Sequence, residues 1–91
     1  MSYTKRYDQG TEADKDAQAI VDMIDYVGHS RFRDLIKLLA DVQIGTALMG
    51  LSLVGIQGRP AHAFLRKNRL TDWRAYQKSQ GIATDAEGYT L

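Results

Sequence analysis

The feature that most restricts how this chain can fold is a stretch of 17 residues, 42–58, that contains no charged side chain. It follows an amphipathic segment whose apolar residues lie three and four positions apart, at Phe32, Leu35, Ile36, Leu39 and Val42. This spacing predicts a helix with one buried face, and Ser30 is a suitable N-cap. We therefore predict a central helix over residues 32–50 that organises the fold, followed by a short turn of helix or a bend over residues 52–57.

The uncharged stretch needs cover on every side, because its apolar residues point in all directions around a helix axis. One interpretation is a core helix that other helices wrap, or that is shared with a second copy of the chain. Another is an exposed apolar surface that docks on a partner. A third is a small membrane-associated protein that uses residues 35–56, although a span needs about 20 mostly apolar residues and this window includes Lys37 and Asp41.

The length of 91 residues suits one domain. The chain has no cysteine, which excludes disulfides and cysteine-based metal sites and fits an intracellular protein. No apolar run follows Met1, so we expect no signal peptide and a cytoplasmic location. We divide the chain into a flexible N-terminal arm (1–10), a single helical domain (11–81) and a flexible C-terminal tail (82–91).

Further helices are predicted on both sides of the central one. Thr11 caps the first, Gly28 ends it, and its apolar stripe is formed by Ala13, Ala17, Ile20, Ile24 and Val27. Pro60 starts a later helix that ends near Asn68, and a last helix capped by Thr71 runs to Gly81. The prediction is an all-α fold, a small bundle of four or five helices built on an N-terminal antiparallel helical hairpin.

Charges of opposite sign are concentrated in two parts of the chain. Residues 8–25 contain six acidic residues and one lysine, a net charge of −5, whereas residues 59–78 contain six basic residues and one aspartate, a net charge of +5. The two segments can pair with each other, within a chain or between copies, with about 0.2 to 1 kcal/mol for each exposed pair. Alternatively, the basic segment binds nucleic acid, or one of the charged faces docks on a protein.

No catalytic signature is present, and we predict that the protein is not an enzyme and holds no cofactor. His29 and His62 lack a neighbouring nucleophile. Asp22, Asp25 and His29 share a helix face with metal-ligand spacing, but the sequence offers no further ligands for them, so we predict no metal site.

The predicted function is therefore that of a small interaction protein, of the adaptor or inhibitor type, that binds a protein partner. Nucleic-acid binding through residues 59–78 is the alternative, and we also expect self-association into a homo-oligomer. Trp, Tyr and Arg are the residue types that anchor interfaces, so the predicted partner-binding residues are Arg66, Arg69, Trp73, Arg74 and Tyr76.

Overall fold

A computed structural model describes residues 10–91, and the chain forms five α-helices in that range. This confirms the predicted all-α bundle of four or five helices. The helices are α1 (Glu12–Val27), α2 (His29–Leu38), α3 (Ile44–Leu53), α4 (Arg59–Asn68) and α5 (Leu70–Ser79). The predicted N-terminal arm lies outside the described residues, except for Gly10.

Helix α1 begins and ends at the predicted residues. The hydroxyl oxygen of Thr11 accepts a hydrogen bond from the amide of Asp14 at 3.1 Å, which satisfies one of the free donors of the first turn. Gly28 has a φ of 88° and ends the helix. It is also the only residue between α1 and α2, and its carbonyl accepts the first backbone bond of α2, from Phe32. Gly28 therefore occupies the N-cap position that we predicted for Ser30.

The predicted continuous helix over residues 32–50 is wrong, because the chain breaks between α2 and α3. Residues 39–43 separate the two helices. The guanidinium of Arg69, at the start of α5, donates hydrogen bonds to the carbonyls of Leu39, at 3.1 Å, and of Val42. The break is thus stabilised by a side chain that is distant in sequence and that supplies donors for carbonyls between the two helices.

Helices α4 and α5 follow the predicted pattern more closely. Pro60 lies in the first turn of α4, where its missing amide costs nothing. The break after Asn68 is confirmed, and Gly81, with a φ of 80°, follows the end of α5. Arg69 occupies the N-cap of α5, so the predicted cap at Thr71 is wrong.

The core is centred on α4 and not on the uncharged stretch. Helix α4 packs against α1, α3 and α5, and the contact of α1 with α4 is more extensive than its contact with α2. The largest fully buried side chains are Trp73, Phe64, Leu51 and Leu65. Phe64 meets Phe32 of α2 edge to face, with ring centroids 5.8 Å apart. Helix α4 therefore connects the other elements.

The last ten residues, which we predicted to be a flexible tail, form a closed turn on the domain. Thr84 and Thr90 make an antiparallel β-bridge, and the amide of Asp85 donates to the carbonyl of Tyr89 at 2.8 Å. The carbonyl of Gly88 accepts hydrogen bonds from the Trp73 indole at 3.1 Å and from the Arg66 guanidinium at 3.3 Å. We call residues 84–90 the C-terminal turn.

Candidate functional site

Two of the predicted partner-binding residues, Trp73 and Arg66, lie in the interior of the domain. Trp73 is 1% exposed. The Arg66 side chain is 12% exposed, and its Nε donates to the Asp16 carboxylate at 2.7 Å. Its guanidinium carbon lies 5.7 Å from the centroid of the Trp73 ring and 4.5 Å from that of Tyr89. Both residues thus connect α1, the last helices and the C-terminal turn.

The other three predicted residues, Arg69, Arg74 and Tyr76, differ in exposure. Arg69 pairs with Asp72 at 2.7 Å, in addition to its bonds to the break between α2 and α3. Tyr76 is half-buried and packs against the core, with its ring 6.1 Å from that of Trp73. Arg74 is exposed and its Nε lies 3.4 Å from the hydroxyl of Thr84. The structure therefore does not bring the five residues together on one open face.

The acidic first helix and the basic segment pair within one chain, as one of the sequence interpretations proposed. Arg59 contacts Glu12 at 3.0 Å and Asp16 at 2.9 Å. Asp16 is buried and also accepts the two bonds from Arg66. Two acidic and two basic residues of these segments are thus paired within the chain, which leaves less charge to attract a partner.

The region around Asp16 also changes the titration of its neighbours. Burial lowers the pKa of His62, and the nearby Arg66 guanidinium lowers it further. Burial also raises the pKa of Tyr89, and the Asp16 carboxylate adds to that effect. His62 lies against Trp73, with ring centroids 5.1 Å apart. These contacts describe a polar cluster between α1, α4, α5 and the C-terminal turn, at whose edge His62 is exposed.

No metal site forms in the described range. Among residues 10–91, no group of three or more His, Asp or Glu side chains is placed to hold a metal ion. Asp22, Asp25 and His29 therefore do not converge with further ligands, despite their spacing in sequence.

The most prominent open feature is an apolar area where the end of α1, helix α2 and the end of α3 meet. Leu53 is 82% exposed, Leu38 71% and Tyr26 68%. Val27 and Val54 are half-buried between them. We call these five residues the apolar surface. Isolated exposed leucines are common in soluble proteins, but a group of this kind is typical of an interaction site.

The apolar surface exists because only one side of α3 is covered. Its buried residues, Ile44, Ala47 and Leu51, are spaced three and four apart and face the core. Met49 and Leu53 lie on the opposite side and are 66% and 82% exposed. The expectation that the uncharged stretch is covered on every side is therefore not met by residues 10–91 of one chain.

The surface contains a groove and a neighbouring depression that share residues. The groove has a volume of about 600 Å³ and is lined by Val27, Arg31, Asp34, Leu35, Lys37, Leu38 and Val54. The depression is lined by Tyr26, Val27, Arg31, Leu53, Val54 and Gly55. A Cβ atom at Gly55 would lie 2.7 Å from the Tyr26 hydroxyl, so the absence of a side chain there lets the tyrosine lie across the end of α3.

Part of the apolar surface belongs to the uncharged stretch, which we predicted to organise the fold. Met49, Leu53 and Val54 belong to the uncharged stretch, whose docking on a partner was one of the three interpretations. Leu38 was not part of the predicted apolar face of the central helix, and the structure places it on the exposed side of α2.

No helix within residues 10–91 is both long and apolar enough to cross a membrane. Comparison of the chain with protein-family models, with curated proteins and with solved structures found no match.

Proposed function

We propose that this chain is a small non-enzymatic interaction protein that acts by binding a protein partner, and that the partner docks on the apolar surface. The observation that carries the proposal is the exposure of Leu38 and Leu53 on adjoining walls of one continuous groove and depression. Full burial of one such side chain contributes about 1.5 to 3 kcal/mol, which favours a partner that covers both.

The surroundings of the apolar surface support a protein as the partner. Arg31, Asp34 and Lys37 line the groove beside Leu35 and Leu38. An apolar centre with a polar, charged rim is the usual composition of a protein interface. Because the rim contains both signs of charge, it is suited to orient a docking protein. It is less suited to attract a polyanion.

Nucleic-acid binding through residues 59–78 remains a prediction, and the ion pairs that its arginines form within the domain do not favour it. Arg59, Arg66 and Arg69 are engaged with Glu12, Asp16 and Asp72. A phosphate backbone would have to compete with these carboxylates for the same guanidinium groups.

The test is a pull-down from lysate of the source cells with tagged wild-type protein and the double variant Leu38→Asp/Leu53→Asp. Leu91→Asp is the matched control, because Leu91 is 83% exposed and does not line the groove or the depression. Each sample is divided into nuclease-treated and untreated halves, and circular dichroism checks that every variant is folded.

We expect wild type and Leu91→Asp to retain the same defined proteins after nuclease treatment, and the double variant to lose them. Retention that is unchanged in the folded double variant would refute the apolar surface as the docking site. Retention that disappears with nuclease would favour the basic segment and nucleic acid instead.

A further inference from the structure

The apolar surface has opposite charges at its two ends. At one end Asp22 lines a small depression together with Tyr26 and Gly55. At the other end Lys37 lines the groove beside Leu38, together with Arg31 and Asp34, so that this end carries a net positive charge. The intervening area is continuous, because the central depression shares Tyr26 and Gly55 with the first end and shares Val27, Arg31 and Val54 with the second.

Such a surface is complementary to itself. In a two-fold dimer the same patch is used by both copies, and when the axis crosses the middle of the patch at right angles to its long direction, each end faces the opposite end on the second copy. We propose that a second copy of this chain docks on the apolar surface in this way, with Asp22 of each copy opposite Lys37 of the other and with Tyr26 and Leu53 at the centre.

The charges at the two ends are accessible for such pairing. Asp22 and Lys37 are both exposed. The Asp22 carboxylate accepts one hydrogen bond, from the Gln18 side chain at 2.9 Å, and a carboxylate has capacity for several more. Within the part of the chain that the structure describes, no carboxylate lies within ion-pair distance of Lys37.

The apolar content of the patch indicates a dimer of moderate affinity. Tyr26, Leu38 and Leu53 are each more than two-thirds exposed, and Met49, one helical turn before Leu53, is 66% exposed. Full burial of one such side chain contributes about 1.5 to 3 kcal/mol, and association itself costs at least about 4 kcal/mol. We therefore expect a dissociation constant in the micromolar range, at which monomer and dimer are both populated.

This inference rests on the proposed function, because both use the apolar surface and a second copy would compete with the partner. The two are tested separately, since dimerisation is measured on purified protein and partner binding in lysate.

The first experiment is sedimentation velocity of the purified full chain from low to high micromolar concentration. We expect wild type and Leu91→Asp to shift from monomer to dimer as concentration rises, and Leu38→Asp/Leu53→Asp to remain monomeric. A wild type that is monomeric throughout, or that forms species larger than a dimer, would overturn the proposal. Dimerisation by the folded double variant would overturn it as well.

The second experiment exchanges the charges at the two ends. Asp22→Lys and Lys37→Glu each place like charges opposite one another twice in a homodimer. We expect each variant alone to dimerise about tenfold more weakly than wild type. An equimolar mixture of the two restores both attractive pairs, so the heterodimer should form with near wild-type affinity and be identified by its mass in native mass spectrometry.

Lys78→Glu is the matched control for the charge change, because Lys78 is an exposed lysine on α5. It should dimerise as wild type does. If Asp22→Lys and Lys37→Glu also dimerise as wild type does, or if their mixture shows no preference for the heterodimer, the proposed two-fold arrangement is incorrect.

Discussion

Arg66 of α4 donates two hydrogen bonds to the carboxylate of Asp16 on α1, at 2.7 and 3.2 Å, and thereby joins the acidic and basic parts of the chain inside the domain. Arg59 donates to the same carboxylate at 2.9 Å. The single negative charge of the buried Asp16 carboxylate is thus shared between two arginines. Bonds of this kind to charged groups are stronger than neutral ones, and they account for the close packing of α1 against α4.

Asp16→Asn should lower the free energy of unfolding by about 2 to 3 kcal/mol, because it removes the charge that both arginines share and leaves Arg66 buried without it. Asp14→Asn, on the same helix, should cost at most about 1 kcal/mol, from its place in the first turn. Urea unfolding followed by circular dichroism measures both values. Equal losses would show that the Asp16 pairs add nothing beyond helix charge.

Gly88→Ala should disrupt the C-terminal turn. The new Cβ atom would lie 2.9 Å from a methyl carbon of Leu70, 3.0 Å from Arg66 and 3.1 Å from Trp73, and the φ of 87° is unfavourable for alanine. Gly81→Ala is the matched control, because Gly81 has a similar φ of 80° and open space around it. Backbone strain alone costs about 1 to 2 kcal/mol.

We therefore expect Gly81→Ala to lose that amount of stability and Gly88→Ala to lose about 1 to 3 kcal/mol more, as overpacking does. The near-ultraviolet circular dichroism of Trp73 should change only in Gly88→Ala, since the indole donates to the Gly88 carbonyl. Equal losses in the two variants would mean that the turn does not pack on the core as described.

Trp73→Ala should unfold most of the protein. Removal of a buried tryptophan side chain costs about 3 to 5 kcal/mol, which is a large share of the roughly 5 to 15 kcal/mol that stabilises a domain. Trp73→Phe keeps most of the packing and loses the bond to Gly88, so it should remain folded and should retain partner binding in the pull-down. If folded Trp73→Phe loses partner binding, Trp73 is a partner-binding residue, as predicted from the sequence.

His62 makes stability depend on pH. Its pKa in the folded protein is lowered, first by burial and then by the Arg66 guanidinium, so the unfolded chain binds the proton more readily. The free energy of unfolding should therefore fall as the pH decreases below about 6.5, the ordinary histidine pKa. His62→Gln should remove this part of the slope in urea midpoints measured between about pH 7.5 and pH 5.

His29→Gln is the control for that experiment, because it removes the other histidine and leaves the contact of His62 with Trp73 in place. A change in slope is assigned to His62 only if it exceeds the change in this control. If His62→Gln keeps the same slope as wild type, another group is responsible for the pH dependence.

The sequence predicted the elements that local signals specify. Thr11, Gly28 and Pro60 mark helix ends through their own hydrogen bonding or backbone geometry, and the structure confirms these positions. The break at residues 39–43 was missed because no proline or glycine marks it. Arg69 stabilises it from about 30 residues away in sequence, and no pattern in residues 32–50 contains that information.

The buried face of α1 differs from the predicted apolar stripe for a related reason. Of the predicted stripe, Ile20 is buried and Ile24 and Val27 are half-buried against the core, whereas Ala13 is exposed. The structure also buries Asp16, Gln18, Ala19 and Met23. A carboxylate is normally counted as exposed, and Asp16 is an exception because Arg59 and Arg66 surround it. Two of the five predicted partner-binding residues, Arg66 and Trp73, lie inside the domain, since arginine and tryptophan serve internal packing as well as interfaces.

The position of the C-terminal turn in the chain affects how the domain forms during synthesis. The Gly88 carbonyl that receives the Trp73 indole and the Arg66 guanidinium is made 15 and 22 residues after those side chains. Helices α4 and α5 therefore emerge from the ribosome before the C-terminal turn does. We expect Trp73 to stay accessible to chaperones until residues 84–90 emerge, so that the domain completes its core late and in one step.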